Sequence, residues 1–304
     1  MEAVLRYEVV DVFTDRPYAG NPLAVVLGAD ELSTTQLQAL AREFNLSETA
    51  FPMAVDAGGV GGPGGEGSPD YVARIFTPEV ELPFAGHPSI GTAWVLASQR
   101  RIPTGRVVQR CGAGDLPLDV AVADGRPSTV TLTGGAPTVS APLDGPDSER
   151  LLAAVGLAFE DLAGVASHRA GAGLEWAYLT VRAEAVARAV GEVAAMRALG
   201  DLAPAGIYLH AVDGADVHAR AFAGDVGVVE DPATGSAALG LGVHLVACGL
   251  AVGEGTTPYV IRQGLEMGRP STLYGEVDAL SGTATVVRVA GRVVPVASGT
   301  IRVP

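Results

Sequence analysis

The sequence predicts an α+β protein with two pseudo-symmetric lobes, each a mixed, mainly antiparallel sheet wrapped round a central helix. Its 304 residues are about twice the length of a typical domain. Hydrophobic residues make up 48% of the chain and charged residues 18%, which is typical of well-buried cores. A third observation, an internal repeat, divides the chain into two halves of similar length.

The repeat joins residues 73–96 to residues 219–245. Both copies contain Arg-x-Phe, then an acidic residue and proline, then Gly-x4-Gly before an apolar run. The copies are 149 residues apart at Gly86 and Gly235, where each central helix is predicted to begin. We therefore predict an N-terminal lobe over residues 1–137 and a C-terminal lobe over residues 138–304, with a last strand that can return to the first lobe.

Local patterns predict the other elements in order. Ser33 is a candidate cap for a helix over Thr34–Phe44, because its hydroxyl can accept a bond from the first helical turn. Asp-Gly pairs between alternating stretches are typical of tight hairpin turns. The predicted elements are strands over 7–13 and 23–27, hairpins across Asp124-Gly125 and Asp213-Gly214, a helix over 148–155, and a late hairpin pairing 284–289 with 292–296.

Composition and charge exclude several classes of function. The net charge is −14 and no basic cluster is longer than two residues, so a nucleic-acid partner is not expected. An acidic surface also disfavours anionic membranes. The longest apolar stretch, 237–253, is shorter than the roughly 20 residues of a membrane span, and we interpret it as a buried helix. No membrane partner is expected, and localisation is predicted to be cytoplasmic.

Cysteine and histidine spacing predicts no metal site. Cys111 and Cys248 do not make a disulfide framework in a chain of this length. Cys248 and His244 lie in the apolar helix, where we interpret both as core residues. His168, His210 and His218 show no ligand spacing with one another or with His244.

The two predicted helix starts can bind an anion. The first turn of a helix has free N–H groups and a partial positive charge, and glycine lets a ligand approach the backbone closely. Because the lobes are pseudo-symmetric, we expect the starts at Gly86 and Gly235 to face one cleft from opposite sides. Such a site would bind a small carboxylate substrate that the acidic surface does not attract.

Three ionisable residues lie at element boundaries near these starts. Glu48 has apolar neighbours at Leu46 and Phe51, and a carboxylic acid in an apolar pocket has a raised pKa that suits acid–base catalysis. His87 lies in the first helix start and Asp231 precedes the second. Taken alone, each residue has an ordinary structural alternative: Glu48 in a surface turn, Asp231 in a capping pair, and His87 bonded to backbone.

Four segments together favour the functional interpretation. They occur in order along the chain: Gly20-Asn21-Pro22, residues 45–51 (NLSETAF), residues 83–88 (PFAGHP) and residues 230–236 (EDPATGS). A weaker fifth segment is Gly268-Arg269-Pro270-Ser271. This set, spread over residues 20–271, resembles the PhzF family of phenazine biosynthesis.

The resemblance implies a fold, a reaction and a set of site residues. The fold would be diaminopimelate-epimerase-like, in a homodimer without a cofactor. The reaction would be isomerisation of trans-2,3-dihydro-3-hydroxyanthranilate by a proton shift along its conjugated system. Glu48 matches the family's catalytic acid/base, and His87 and Asp231 match its partners. Ser47, Gly86, Gly235 and Ser236 match positions that contact substrate.

Two alternatives remain open at this point. Related racemases use two opposed cysteines, but the positions before Gly86 and Gly235 are Ala85 and Thr234, which argues against two-thiol chemistry. A one-base amino-acid epimerase is the first alternative, and a non-catalytic protein that binds small anions is the second. The Gly-rich tract 57–69 is interpreted as a surface loop, either a lid or an inert insertion.

Overall fold

The computed structural model describes residues 4–55, 68–223 and 229–304. Its contacts divide the chain into two compact units. The first comprises Met1–Thr133 and Ala290–Pro304, and the second comprises Gly134–Val289. Most of the Gly-rich tract, residues 57–67, lies outside the described residues, so its role as lid or insertion stays a prediction.

The described part of the first unit contains two α-helices, and most of its strands precede residue 134. Its elements are β1 Val4–Val12, β2 Asn21–Leu27, α1 Thr34–Phe44, β3 Glu48–Met53, β4 Tyr71–Phe76, β5 Glu81–Leu82, α2 Gly86–Ser98, β6 Gly105–Cys111, β7 Gly114–Ala123 and β8 Arg126–Thr133.

The described part of the second unit follows the same plan, with the short helices α4 and α5 in addition. Its elements are β9 Thr138–Val139, α3 Gly145–Ala154, β10 His168–Gly171, β11 Glu175–Thr180, α4 Ala183–Val186, α5 Val193–Arg197, β12 Ile207–Asp213, β13 Asp216–Phe222, β14 Glu230–Asp231, α6 Gly235–Ala247, β15 Gly255–Gln263, β16 Ser271–Leu280 and the first part of β17 Thr283–Arg302.

The strand pairings repeat between the units. In the first, β2 pairs with β3 in parallel, β3 with β4 antiparallel, β4 with β6 in parallel and β6 with β7 antiparallel. In the second, β11, β12, β13, β15 and β16 pair in the same alternating pattern. The predicted α+β fold with two similar lobes is confirmed.

Helix α1 begins where the sequence predicts. The Ser33 hydroxyl and the Gln36 side chain form a capping box, which satisfies free N–H groups at the helix start. Asn45 ends the helix in the left-handed conformation, with φ of 50°. Leu37 and Leu40 are buried in one cluster with aromatic residues of β3 and β4. The turn after α1 therefore delivers the chain directly to Glu48, the first residue of β3.

Helices α2 and α6 are buried along nearly their whole length. The first glycine of each Gly-x4-Gly segment begins the helix, and the second, Gly91 or Gly240, lets it approach the sheet of its own unit. A Cβ atom at Gly91 would lie 2.5 Å from Leu23 Cδ2, and one at Gly240 would lie 3.1 Å from the Ala170 carbonyl oxygen. The first glycine of the repeated motif therefore marks a helix start, and the second permits close packing of the helix on the sheet.

One predicted turn is wrong. The expected late hairpin over residues 284–296 is a single long strand, β17, whose C-terminal part pairs with β1. Gly291 does not make a turn; a Cβ atom there would lie 2.7 Å from Cε1 of the Phe13 ring. The glycine marks a close approach of side chain to strand, which is a second common reason for glycine within a strand.

The two Asp-Gly hairpins are confirmed. Asp124 and Gly125 both have positive φ, 51° and 71°, between β7 and β8, as a two-residue turn between right-twisted strands requires. Gly214, with φ of 60°, turns the chain between β12 and β13. Of the helices in the described part of the chain, none combines the length and apolar character needed to cross a membrane.

Candidate functional site

Glu48 begins β3 beside the start of β2. Its backbone pairs in parallel register with Leu23. Its side chain is 17% exposed, so the carboxyl group is largely shielded from water. Ser47, the residue before it, is half-buried. The αL turn at Asn45 and the parallel pairing with β2 together fix the position of this carboxylate in the first unit.

His87 lies against Glu48. It is the second residue of α2, and its Nε2 lies 3.5 Å from Oε2 of Glu48. The ring is 4% exposed, and burial lowers the pKa of His87 to about 3, outweighing an opposing hydrogen bond with the Pro22 backbone. The imidazole is therefore neutral at neutral pH, and the contact with Glu48 is not an ion pair.

Asn21 holds the other side of the His87 ring. Its Nδ2 lies 3.1 Å from His87 Nδ1, and both side chains are buried. The ring also makes a hydrogen bond with the Pro22 backbone, and the two contacts together fix its orientation beside Glu48. Asn21 is the first residue of β2, so its position follows from the same strand that pairs with β3.

A buried polar chain supports the start of α2. The Ser89 hydroxyl donates to the Ala85 carbonyl at 2.9 Å and accepts from Gln109 Nε2 at 2.8 Å. The Tyr71 hydroxyl donates to Gln109 Oε1 at 2.9 Å. Because these buried groups have few other hydrogen-bond partners, the network of Tyr71, Gln109 and Ser89 fixes the first turn of α2, which carries His87.

Asp231 lies in a second polar group, in the second unit. The Thr234 hydroxyl, at the N-cap position of α6, donates to Asp231 Oδ2 at 2.5 Å. Gln263 Nε2 donates to the Asp231 carbonyl oxygen at 2.7 Å and to Thr234 Oγ1 at 3.0 Å. Gln263 is fully buried, and its Oε1 accepts from the Tyr208 hydroxyl at 3.1 Å. These bonds set the direction of the Asp231 carboxylate.

Ser236 is the second residue of α6 and is buried. Its hydroxyl accepts from the indole N–H of Trp176 at 3.2 Å. Trp176 thus contacts a predicted substrate-binding hydroxyl. Gly86 and Gly235 are the first residues of α2 and α6, so their N–H groups belong to free helix starts.

The structure therefore groups the predicted site residues by unit. Glu48, His87 and Gly86 come together in the first, and Asp231, Gly235 and Ser236 in the second. Their chemical roles, that of Ser47 and the cleft expected between the two helix starts stay predictions.

The register of the strands shows which positions of the two units correspond. Phe76 and Phe222 are equivalent in the repeat, and they pair with Thr49 and Ile207, respectively. The residues that precede these two, Glu48 and Gly206, are therefore counterparts. By the same register, and by alignment of the two Gly-x4-Gly segments, the counterparts of Asp231 and Ser236 are Leu82 and His87. The fold is duplicated but the reactive side chains are not, and Glu48 has no carboxylate counterpart.

Sequence reasoning missed four contact residues: Asn21, Trp176, Thr234 and Gln263. Asn21 lies inside Gly20-Asn21-Pro22 and Thr234 lies inside residues 230–236, so the segments were identified without these roles. Gln263 gave no motif signal, because it lies 32 residues after Asp231 and reaches it only through the pairing of β13 with β15.

Two of the histidines that show no ligand spacing in the sequence lie together with a cysteine in the fold. His168, His244 and Cys248 lie together, with candidate ligand atoms all within 4.8 Å of one another. Only part of this group is visible in the sequence, as His244 and Cys248 four residues apart at the end of α6, because the third residue comes from β10. His244 is fully buried, as expected for a core histidine, but Cys248 is only half-buried and ends the helix.

Comparison with known proteins identifies the family. A profile described as phenazine biosynthesis-like protein matches residues 10–299. The chain is similar to a trans-2,3-dihydro-3-hydroxyanthranilate isomerase of Pseudomonas aeruginosa, with 34% identity over 97% of this chain and 98% of the relative.

Solved structures agree with this assignment. A predicted epimerase from Pseudomonas aeruginosa is 34% identical, with a TM-score of 0.82 over 98% of this chain and 99% of the other. A phenazine biosynthesis protein of the PhzF family from Bacillus anthracis shares the fold, with a TM-score of 0.84 at 22% identity over 98% of this chain and 99% of the other. The chain belongs to the phenazine biosynthesis-like (PhzF) family, and it is an isomerase.

Proposed function

We propose that the enzyme isomerises a small amino- or hydroxy-carboxylate of the trans-2,3-dihydro-3-hydroxyanthranilate type, with Glu48 moving the proton. The observation that carries the proposal is the Glu48 carboxyl group beside the buried, neutral His87, 3.5 Å away. The name of the 34% identical Pseudomonas aeruginosa relative supports the choice of substrate.

One carboxylate is sufficient for this reaction. The Glu48 carboxylate removes a proton from a substrate carbon, and the C–H electron pair shifts into the conjugated system. The carboxylic acid then returns a proton to the far end of that system, so the substrate is rearranged with no net gain or loss of atoms. The counterpart of Glu48 in the second unit is Gly206, which supplies no second acid or base at that position.

Neutral His87 acts in the site as a hydrogen-bonding group rather than as a charge. As electrons shift in the substrate, a carbonyl or carboxylate oxygen gains negative charge, which a positioned N–H stabilises. The distance of 3.5 Å to Glu48 is long for a hydrogen bond, and such contacts commonly tighten when substrate binds. Asn21, through its contact with Nδ1, keeps the Nε2 edge of the ring pointing towards Glu48.

The first turns of α2 and α6 suit the substrate's anionic group. Both start with glycine, and neither has a side-chain cap for its free N–H groups. A carboxylate can accept these hydrogen bonds and is favoured by the positive end of the helix. We assign Asp231, held by Thr234, to the amino or hydroxyl substituent of the substrate, because a carboxylate accepts hydrogen bonds from such groups.

A deuterium experiment tests the proposal. The enzyme is incubated with trans-2,3-dihydro-3-hydroxyanthranilate in deuterated water, and product is followed by NMR. We expect rearranged product, with any deuterium at the new C–H carbon, and a much slower reaction with Glu48→Gln. No conversion by the wild-type enzyme would overturn the substrate assignment, and an unchanged rate in Glu48→Gln would overturn the assignment of the base.

A one-base epimerase is the second candidate. The 34% identical Pseudomonas aeruginosa structure described as a predicted epimerase favours it. The same NMR experiment, run with candidate amino acids, separates the two reactions. Deuterium at an inverted stereocentre indicates epimerisation, whereas deuterium at a different carbon indicates isomerisation.

We further propose that the enzyme works without a cofactor and as a homodimer, on the support of the family resemblance. Activity of the dialysed enzyme with no organic cofactor added supports the first statement, and a requirement for an added organic cofactor contradicts it. Light scattering coupled to gel filtration measures the second, against a chain mass of 30.8 kDa.

A further inference from the structure

A buried group of histidines in the second unit lies next to Cys248. His168 comes from β10, and His244 and Cys248 lie four residues apart at the C-terminal end of α6. Residues at positions i and i+4 lie on the same face of a helix, so both can reach one bound ion. None of the three is a residue we assign to isomerisation.

The sulfur–nitrogen distances in this group are those expected around a tetrahedrally coordinated metal ion. Cys248 Sγ lies 3.6 Å from His168 Nδ1, and it lies 3.7 Å from Nδ1 and 3.6 Å from Nε2 of His244. In a tetrahedral zinc site with ordinary Zn–S and Zn–N bonds, sulfur and nitrogen ligands are about 3.5 Å apart. The backbone carbonyl oxygen of Ala166 lies 3.3 Å from the same sulfur, and could supply a fourth ligand or leave that place to water.

Residues behind His244 orient its ring. Thr180 Oγ1 lies 3.1 Å from His244 Nε2 and 3.0 Å from His210 Nε2. Tyr178 stacks on the His244 ring with centroids 5.3 Å apart. Cys248 Sγ is almost equally far from both ring nitrogens of His244, but Thr180 engages Nε2, so Nδ1 is the nitrogen left for a bound ion. Ligating histidines commonly have their other nitrogen held in this way.

The protonation states are compatible with metal binding. Burial lowers the pKa of His168 and of His244, so both rings are neutral at neutral pH and have a lone pair to give. Burial raises the pKa of Cys248 to about 11, so the thiol must lose its proton when the ion binds. Two imidazoles and one thiolate are ligands that suit zinc, whereas magnesium and calcium prefer oxygen.

We propose that His168, His244 and Cys248 form a Zn²⁺ site that joins β10 to the end of α6. Binding converts Cys–SH and Zn²⁺ into a Cys–S–Zn unit and releases one proton to solvent. Because α6 begins at Gly235, an ion at its other end would fix the helix that carries a predicted substrate-binding turn. The site is independent of the proposed isomerase chemistry and can be tested without substrate.

A zinc titration of the full chain tests the site. The protein is stripped with chelator, dialysed, and titrated with Zn²⁺ against a chromophoric chelator. We expect one ion per wild-type chain and at least tenfold weaker binding in Cys248→Ser. Cys111→Ser is the matched control, since Cys111 is the chain's other cysteine and is also half-buried; its affinity should equal that of the wild type.

Co²⁺ provides a second readout that does not depend on affinity alone. Wild type and Cys111→Ser should show thiolate-to-cobalt absorption, and Cys248→Ser should lack it. A folded His168→Gln variant should bind Zn²⁺ more weakly as well, with folding checked by circular dichroism. The proposal is overturned if the wild type does not bind one ion, if Cys248→Ser binds as tightly, or if the thiolate band survives in that variant.

Discussion

Oε2 of Glu48 lies 3.5 Å from Nε2 of His87, and burial keeps that imidazole neutral. A charged partner would hold the glutamate in its ionised form throughout a reaction cycle. A neutral partner leaves the carboxyl group able to accept a proton and then give it back, which a single-residue proton shuttle requires.

The first prediction concerns Glu48. Glu48→Gln keeps the size and polarity of the side chain but removes its ability to take a proton. We expect kcat to fall roughly 10²- to 10⁴-fold while the melting temperature stays close to that of wild type. Steady-state kinetics measure the effect, and Glu43→Gln, on the exposed face of α1, is the matched control. Wild-type turnover in Glu48→Gln would remove this residue from the mechanism.

The second prediction concerns acid stability. The pKa of His87 is about 3 in the folded protein and near 6.5 when unfolded, so the unfolded chain binds the extra proton between these values. His87 therefore lowers stability as pH falls from 7 towards 3. Between pH 7 and pH 5 the free energy of unfolding should drop by about 2 kcal/mol more in wild type than in His87→Asn.

Urea denaturation at the two pH values measures this difference. The comparison is between slopes with pH, so a constant stability loss in His87→Asn does not affect it. Equal pH dependence in the two proteins would show that His87 titrates normally and is protonated near pH 6, contrary to its buried position.

The third prediction concerns Thr234. Thr234→Val removes the hydroxyl that bonds to Asp231 while keeping the shape of the side chain. A hydrogen bond to a charged group contributes about 1.5–3 kcal/mol, so we expect kcat/KM to fall roughly 10- to 100-fold. Thr256→Val is the control, because it removes a similar Thr–Asp bond, to Asp278, at an exposed position. Equal kinetics in the two variants would show that orientation of Asp231 is unimportant.

The fourth prediction concerns the second glycine of each Gly-x4-Gly segment. Gly91→Ala places a methyl group against Leu23 and Val12, and Gly240→Ala places one against Tyr178 and Ala170. Overpacking of this kind costs about 1–3 kcal/mol of stability, measured by denaturant unfolding. Gly145→Ala, at the start of α3 with open space around it, should be neutral or slightly stabilising. Wild-type stability in both packed variants would contradict the close helix–sheet contact.

The sequence predicted those features that repeat or that depend on local chemistry. The Gly-x4-Gly segments located both central helices, and Ser33 located α1, because a helix start has requirements that neighbouring residues reveal. The Glu48–His87 pair could be anticipated from residues near α2 and β3. The late hairpin was predicted wrongly because a glycine that avoids the Phe13 ring looks, in sequence, the same as a glycine that turns the chain.

Contacts between distant segments were beyond local reasoning. Gln263 reaches Asp231 through a strand pairing, and His168 meets Cys248 across 80 residues. Neither leaves a spacing pattern, since both distances are set by sheet register and by the length of α6. Only the three-dimensional fold brings such residues together.

The glycine opposite Glu48 in the repeat has a consequence for how this enzyme could change. Gly206 has φ of 131°, and a Cβ atom there would lie 2.8 Å from Cζ3 of Trp176. A single mutation cannot install a matching acid at that position without displacing the indole and straining the backbone. Descendants of this duplicated fold that acquire a two-base mechanism would have to rebuild the neighbourhood of Trp176 first, or recruit the second base from another part of the chain.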